Sequence, residues 1–161
     1  SALTDNMTGL PTRLAFSKEC MHLLAGAQRS MRKVSALFLD LDHFKSINDT
    51  CGHDVGDKVL NLVGIEISHC IRGNDLAGRY GGEEFVVLLD DANETDALEI
   101  AERIRSAIEH IMLNHGHTRV PVTVSIGVAI WDFKMSLPKL VKHADDAMYR
   151  AKHAGRNRVC L

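Results

Sequence analysis

Two short acidic stretches contain side chains able to manage a highly charged reaction. In Arg79-Tyr80-Gly81-Gly82-Glu83-Glu84-Phe85, adjacent carboxylates follow a pair of glycines. A hairpin tip gains no stability from neighbouring like charges, whereas a divalent cation wants hard oxygen ligands. In Asp40-Leu41-Asp42-His43-Phe44-Lys45, an aspartate ends the apolar run that starts at Val34, and a lysine follows shortly after. A carboxylate at a buried strand end, beside a lysine, suits a magnesium ion and a phosphate chain. Alone, Asp40 reads better as a strand-end turn residue; its coincidence with Glu83 and Glu84 reverses that preference.

Such residues need elements to bring them together. Gly81-Gly82 between strand-like runs predicts a tight hairpin with positive φ at the turn, its strands over 75–80 and 84–89. Alternation along a strand sends Glu83 and Glu84 to opposite faces and gives them different tasks. Residues 34–40 form the first strand, and 42–45 start a short helix whose free N–H groups favour phosphate. Ahead of these, a helix has Pro11 in its first turn and turns Phe16, Cys20, Leu23 and Ala27 inward. Gly52 breaks the chain before an amphipathic helix over 54–71, with Val55, Val59, Val63 and Ile67 on one face. Asn93 or Thr95 caps the next helix, whose apolar stripe is Ala97, Ala101, Ile104, Ile108 and Ile111. Alternation from Val122 to Ile130 predicts a half-buried strand. A last helix starts near Ser136, buries Leu140, Ala144, Met148 and Ala151, and is capped by Gly155. Alternating helices and strands around one antiparallel hairpin predict an α/β sandwich, a mixed central sheet flanked by helices.

Composition narrows the function classes. With 161 residues the chain suits one domain with a sizeable core. A net charge of −2 offers no long basic surface for nucleic acid. No apolar run reaches the roughly 18 residues of a membrane span, so no membrane contact by the domain itself is expected. Cys20, Cys51, Cys70 and Cys160 form no CxxC pair and read as reduced thiols of a cytoplasmic domain. His115-Gly116-His117 has metal-binding groups, but a polar loop is the better reading.

From Asp5 to Asn157 these motifs, in order and spacing, resemble the GGDEF domain of diguanylate cyclases, here with a GGEEF signature. The resemblance implies a ferredoxin-like palm similar to that of nucleotidyl cyclases. It implies the joining of two GTP molecules into cyclic di-GMP, by attack of a 3′-hydroxyl on an α-phosphate with loss of pyrophosphate. It implies two magnesium ions per site, with manganese as an alternative, held by Asp40, Glu83 and the Leu41 carbonyl. Glu83 and Glu84 are then the catalytic pair, Glu84 either taking part at the metals or holding a neighbouring backbone or side chain. Glu83 is also the family's proton acceptor, although a carboxylate held at a metal is a weak base. Phe44 and Lys45 contact substrate, and Lys152 and Arg156 bind the terminal phosphates. Those two cations share a helix side if the helix persists that far; alone, they read as complements of a helix C-terminus. Asn48 and Asp57 match the guanine-reading pair. A carboxylate accepts from guanine N1–H and N2–H together, whereas adenine N1 would face it with a lone pair. By themselves Asn48 is a turn residue and Asp57 a helix N-terminal acid. Arg72-Gly73-Asn74-Asp75 matches the family's RxxD product-inhibition site, with Arg103 as a secondary contact. The family usually has Asn where this chain has Thr12.

If one subunit holds one GTP, two copies must face each other, so a homodimer is needed for catalysis. The chain reads as a single domain, residues 1–161, cut from a longer signalling protein whose other half is the on-switch and sets any membrane attachment. Two competing readings are a silent module that binds GTP or cyclic di-GMP, and a related palm enzyme making another product. The intact Asp40, Lys45, Asn48, Asp57, Glu83 and Glu84 favour catalysis.

Overall fold

The apolar run ending in Asp40-Leu41 becomes the middle strand of the molecule. In the computed structural model, which describes residues 2–161, this strand β1 (Val34–Leu41) is buried along nearly its whole length. In chain order the other elements are α1 (Arg13–Ser30), α2 (Phe44–Cys51), α3 (His53–Cys70), β2 (Leu76–Arg79), β3 (Glu84–Asp90) and α4 (Glu94–Glu109). They continue with β4 (Asn114–His115), β5 (Thr118–Arg119), β6 (Val124–Ile130), α5 (Leu137–His153) and β7 (Arg158–Cys160). The main sheet runs β2-β3-β1-β6-β7, antiparallel except for the parallel β6–β7 pair, so the expected mixed sheet is present.

Both faces of the sheet are covered. Leu37, Leu39, Leu41, Phe85, Val87 and Ile126 belong to the core beneath α3 and α4. Ala36, Phe38, Val86 and Leu88 pack with Phe16 and Cys20 of α1 and with Leu140 and Ala144 of α5. Asp40 pairs in register with Glu84 and Ser125. Strand alternation therefore puts Asp40 and Glu84 on the α1/α5 face, at the strand ends. Helix α5 lies close on β6: a Cβ on Gly127 would meet the Ala144 carbonyl at 2.0 Å and the Met148 nitrogen at 2.1 Å. This close approach brings the C-terminal turn of α5 to Asp40.

Several elements depart from expectation. Pro11 precedes the first helix instead of lying in it; α1 is capped by Thr12, whose hydroxyl accepts from the Ala15 N–H at 3.3 Å. Leu24, not Leu23, joins Phe16, Cys20 and Ala27 in the buried stripe, because the chain advances in steps of four before the final step of three. Strand β6 begins at Val124, yet Val122 is still buried. His115 and His117 flank Gly116, at φ +64°, in the exposed β4–β5 hairpin. Asn93 caps α4 through a reciprocal box with Asp96. Among the described residues, no helix is long and apolar enough to cross a membrane.

Candidate active site

The glutamate pair hangs on a four-residue connection, residues 80–83, between β2 and β3. The tight positive-φ turn is not formed: neither Gly81 nor Gly82 has positive φ. Instead the N–H groups of Tyr80 and Gly81 both donate to the Glu84 carbonyl, at 2.7 and 3.2 Å. A Cβ on Gly81 would lie 2.3 Å from Glu84 Oε1, so a larger residue there would displace that carboxylate. The Arg79 guanidinium donates to the Gly81 and Gly82 carbonyls at 3.2 and 2.7 Å and to Asp5 at 3.1 Å. The N-terminal turn is thereby tied to the hairpin. The Leu41 N–H donates to the Glu83 carbonyl at 3.2 Å, which sets Glu83 beside the end of β1. Glu83 thus sits in the connection and only Glu84 obeys strand alternation.

Their surroundings differ accordingly. Burial raises the Glu83 carboxyl above its ordinary range, and the facing Asp40 carboxylate raises it further, with Lys152 opposing. Burial raises Glu84 too, helped by Asp40 and Asp145 and opposed by Arg13. Asp40 Oδ1 is buried with no hydrogen-bond partner among the described residues; Lys152 Nζ is 3.2 Å away as an ion pair. Crowded carboxylates whose charges repel, one with an orphaned oxygen, are what a hard divalent cation relieves. Asp40, Glu83 and the Leu41 carbonyl fit such an ion. They supply only two carboxylates, and among the described residues no group of three His, Cys, Asp or Glu side chains forms a metal cage.

Lys152 and Arg156 part company. Helix α5 ends at His153, and Gly155 and Arg156 follow at φ +124° and +64°. The two cations therefore share no helix side, and Arg156 is exposed. Lys152 Nζ instead donates to the Asp40 and Leu41 carbonyls at 3.3 and 3.2 Å and to Asp42 Oδ1 at 2.8 Å. In the sequence Asp42 reads only as the start of a phosphate-facing segment. It proves to be a fully buried carboxylate that also accepts from Thr123 and Ser125, both at 2.7 Å, and from the Asn157 N–H at 3.0 Å. Burial pushes its carboxyl up, but the bonds from Lys152, Ser125 and Thr123 hold it below the ordinary range. The available signal was the D-x-D spacing at the strand end, which keeps both aspartates on one side.

The nucleobase candidates lie on α2 and α3. His43, at φ +54°, precedes α2; Lys45 is exposed on its first turn, while Phe44 is buried. Asn48 lies flat against α3, where a Cβ on Gly56 would fall 1.8 Å from its Oδ1. Asp57 is the next residue of α3 and is exposed. A large cavity lies elsewhere. It measures about 600 Å³ between α2 and the β4–β5 hairpin, against Ile47, Cys51 and Val120, and includes none of the expected site residues.

The RxxD turn is closed on itself. Asp75 is buried and accepts from the Arg72 N–H at 2.8 Å, Arg72 Nε at 3.2 Å and the Asp90 N–H at 3.0 Å. Arg72 Nη2 donates to the Asp90 carbonyl at 2.8 Å. A pocket of about 260 Å³ lies against Arg72, Asp75 and Asp90. Arg103 reaches toward the same region, 3.5 Å from the Cys70 carbonyl.

An acidic strand end beside a hairpin, on a mixed sheet between helices, is the palm-like α+β arrangement of nucleotidyl cyclases. The family model described as "Diguanylate cyclase, GGDEF domain" matches residues 2–158, and the chain belongs to that family. It is 44% identical over 161 residues to the response regulator PleD of Caulobacter vibrioides, covering 98% of this chain and 36% of PleD. It is 42% identical to diguanylate cyclase A of Treponema denticola, covering 98% of this chain and 44% of that protein. The chain thus spans less than half the length of these relatives. The GGDEF domain of DgcB from Caulobacter crescentus, solved in complex with c-di-GMP, superposes with a TM-score of 0.94 at 34% identity, covering 99% of this chain and 93% of that one.

Proposed function

We propose that the chain condenses two GTP molecules into cyclic di-GMP with release of two pyrophosphates. One observation carries the reading: register sets Asp40 opposite Glu84, the Leu41 N–H holds Glu83 beside them, and Lys152 stands among the same oxygens. Magnesium bound by Asp40, Glu83 and the Leu41 carbonyl supplies neutralisation of phosphate charge and a more acidic 3′-hydroxyl. Lys45 and the start of α2 receive phosphate oxygens. Lys152 and Arg156 bind the terminal phosphates from two separate directions, as the end of α5 dictates. Asn48 and Asp57 select guanine. As a ligand of that metal Glu83 would be a weak acceptor of the hydroxyl proton, and Glu84 stands beside Asp40 through the strand register. Each copy presents one substrate, so bond formation needs a second copy facing it. Cyclic di-GMP binds at Arg72 and Arg103 and inhibits; Asp75, already bonded within its turn, shapes that site. Incubation with GTP and magnesium, followed by mass analysis of the products, tests the reading. Cyclic di-GMP from the wild type and none from Asp40→Asn is the expected result; cyclic GMP or linear oligonucleotides would overturn it.

A further inference from the structure

The turn after α5 holds two consecutive non-glycine residues in the left-handed region, Arg156 at φ +64° and Asn157 at +46°. The left-handed region costs an ordinary side chain such as Arg156 roughly 1 kcal/mol and suits asparagine better; the Arg156 N–H is held by the Ala151 carbonyl at 3.0 Å. The Asn157 side chain is tied to α4. Its Oδ1 accepts from Arg105 Nη1 on α4 at 2.8 Å, and its amide nitrogen donates to Glu109 Oε2. Arg105 is itself braced by Glu102 and Glu109. From this anchored position the Asn157 N–H donates to Asp42 Oδ2 at 3.0 Å, and Asp42 Oδ1 receives Lys152 at 2.8 Å.

We propose that Asn157 is a positioning residue. Tethered to α4, it fixes the Asp42 carboxylate, which in turn fixes the Lys152 ammonium beside Asp40. A lysine stem has four rotatable carbons and needs a fixed acceptor to hold one place. Thr123 and Ser125 brace Asp42 from the β6 side, at 2.7 Å each, and Asn157 closes the cage from the C-terminal loop. The same tether sets the direction in which Arg156 leaves the helix. The effect on substrate rests on the GTP reading above; the placement of Lys152 does not.

Asn157→Gly is the clean variant. Glycine keeps the N–H and prefers the left-handed backbone, so only the tether to α4 is lost. Arg105→Gln cuts the same tether from the other side. The readouts are trace acetylation of Lys152 by acetic anhydride without nucleotide, relative to Lys142, whose side chain is 74% exposed, and the kinetic constants for GTP. Both variants are expected to raise the relative labelling of Lys152 several-fold. KM for GTP should rise about tenfold, as for a weakened charged hydrogen bond, with kcat changing less than KM. Unchanged Lys152 labelling in both variants, even with a lowered melting temperature, would mean a merely structural loop contact and overturn the proposal. Raised labelling with unchanged KM would overturn its substrate part. If the wild type converts no GTP, the functional reading fails, while the labelling still decides the placement of Lys152.

Discussion

Glu83 stands where its charge opposes folding. Its carboxyl is raised by burial and then by Asp40, so the folded chain holds that proton more tightly than the unfolded chain. The resulting stability is fully present below the ordinary value of 4.5 and is lost as pH rises through the higher folded value. Glu83→Gln should therefore melt above the wild type at neutral pH without divalent ions, and the gap should close below about pH 4. Thermal denaturation across that range checks the sign; a variant that melts lower at pH 7 contradicts it. Asp42 behaves in the opposite way, as a buried acceptor whose loss strands Lys152 among fewer oxygens. Asp42→Ala is expected to cost about 3–5 kcal/mol, the usual price of breaking a buried pair, measured by urea denaturation. At this scale the sequence revealed the residue types that carry chemistry, because Asp40, Glu83, Glu84 and Lys45 stand in contiguous motifs. The partners of Asp42 come from residues 123, 125, 152 and 157, and no local pattern links them.

Helix α3 takes a glycine at position 56 for the sake of its neighbour. Gly56→Ala should favour the helix by close to 1 kcal/mol in intrinsic propensity, yet its Cβ would collide with Asn48 Oδ1 at 1.8 Å. The expected outcome is a preserved fold with GTP binding weakened about tenfold, read by calorimetry beside melting curves. Unchanged GTP affinity would remove Asn48 from the guanine site. The long helices and β1, β3 and β6 were legible because their apolar spacing runs for many residues. The strands β4, β5 and β7 span two or three residues each and carry no period to detect. The end of α5 was legible in Gly155, which follows the helix cap at Ala154. Lys152 and Arg156 keep helical spacing in sequence, but Gly155 at φ +124° and the tether from α4 turn the chain away.

At the scale of the whole molecule, the sheet order carries the two acidic stretches to one end of the central strands from positions far apart in sequence, and α5 returns Lys152 to the same end. That convergence was anticipated from motif order, since a strand ending at Asp40 and a hairpin ending at Glu84 must pair to share a cation. On the proposed reading each copy presents one GTP, so chemistry between two substrates is an event between two copies. The most direct test is the rate of cyclic di-GMP formation from GTP and magnesium over a wide range of protein concentrations, with and without a fused dimeric coiled coil. The account predicts a rate that grows faster than linearly with protein alone and becomes linear and high in the fusion. GTP bound without turnover in both forms would contradict it.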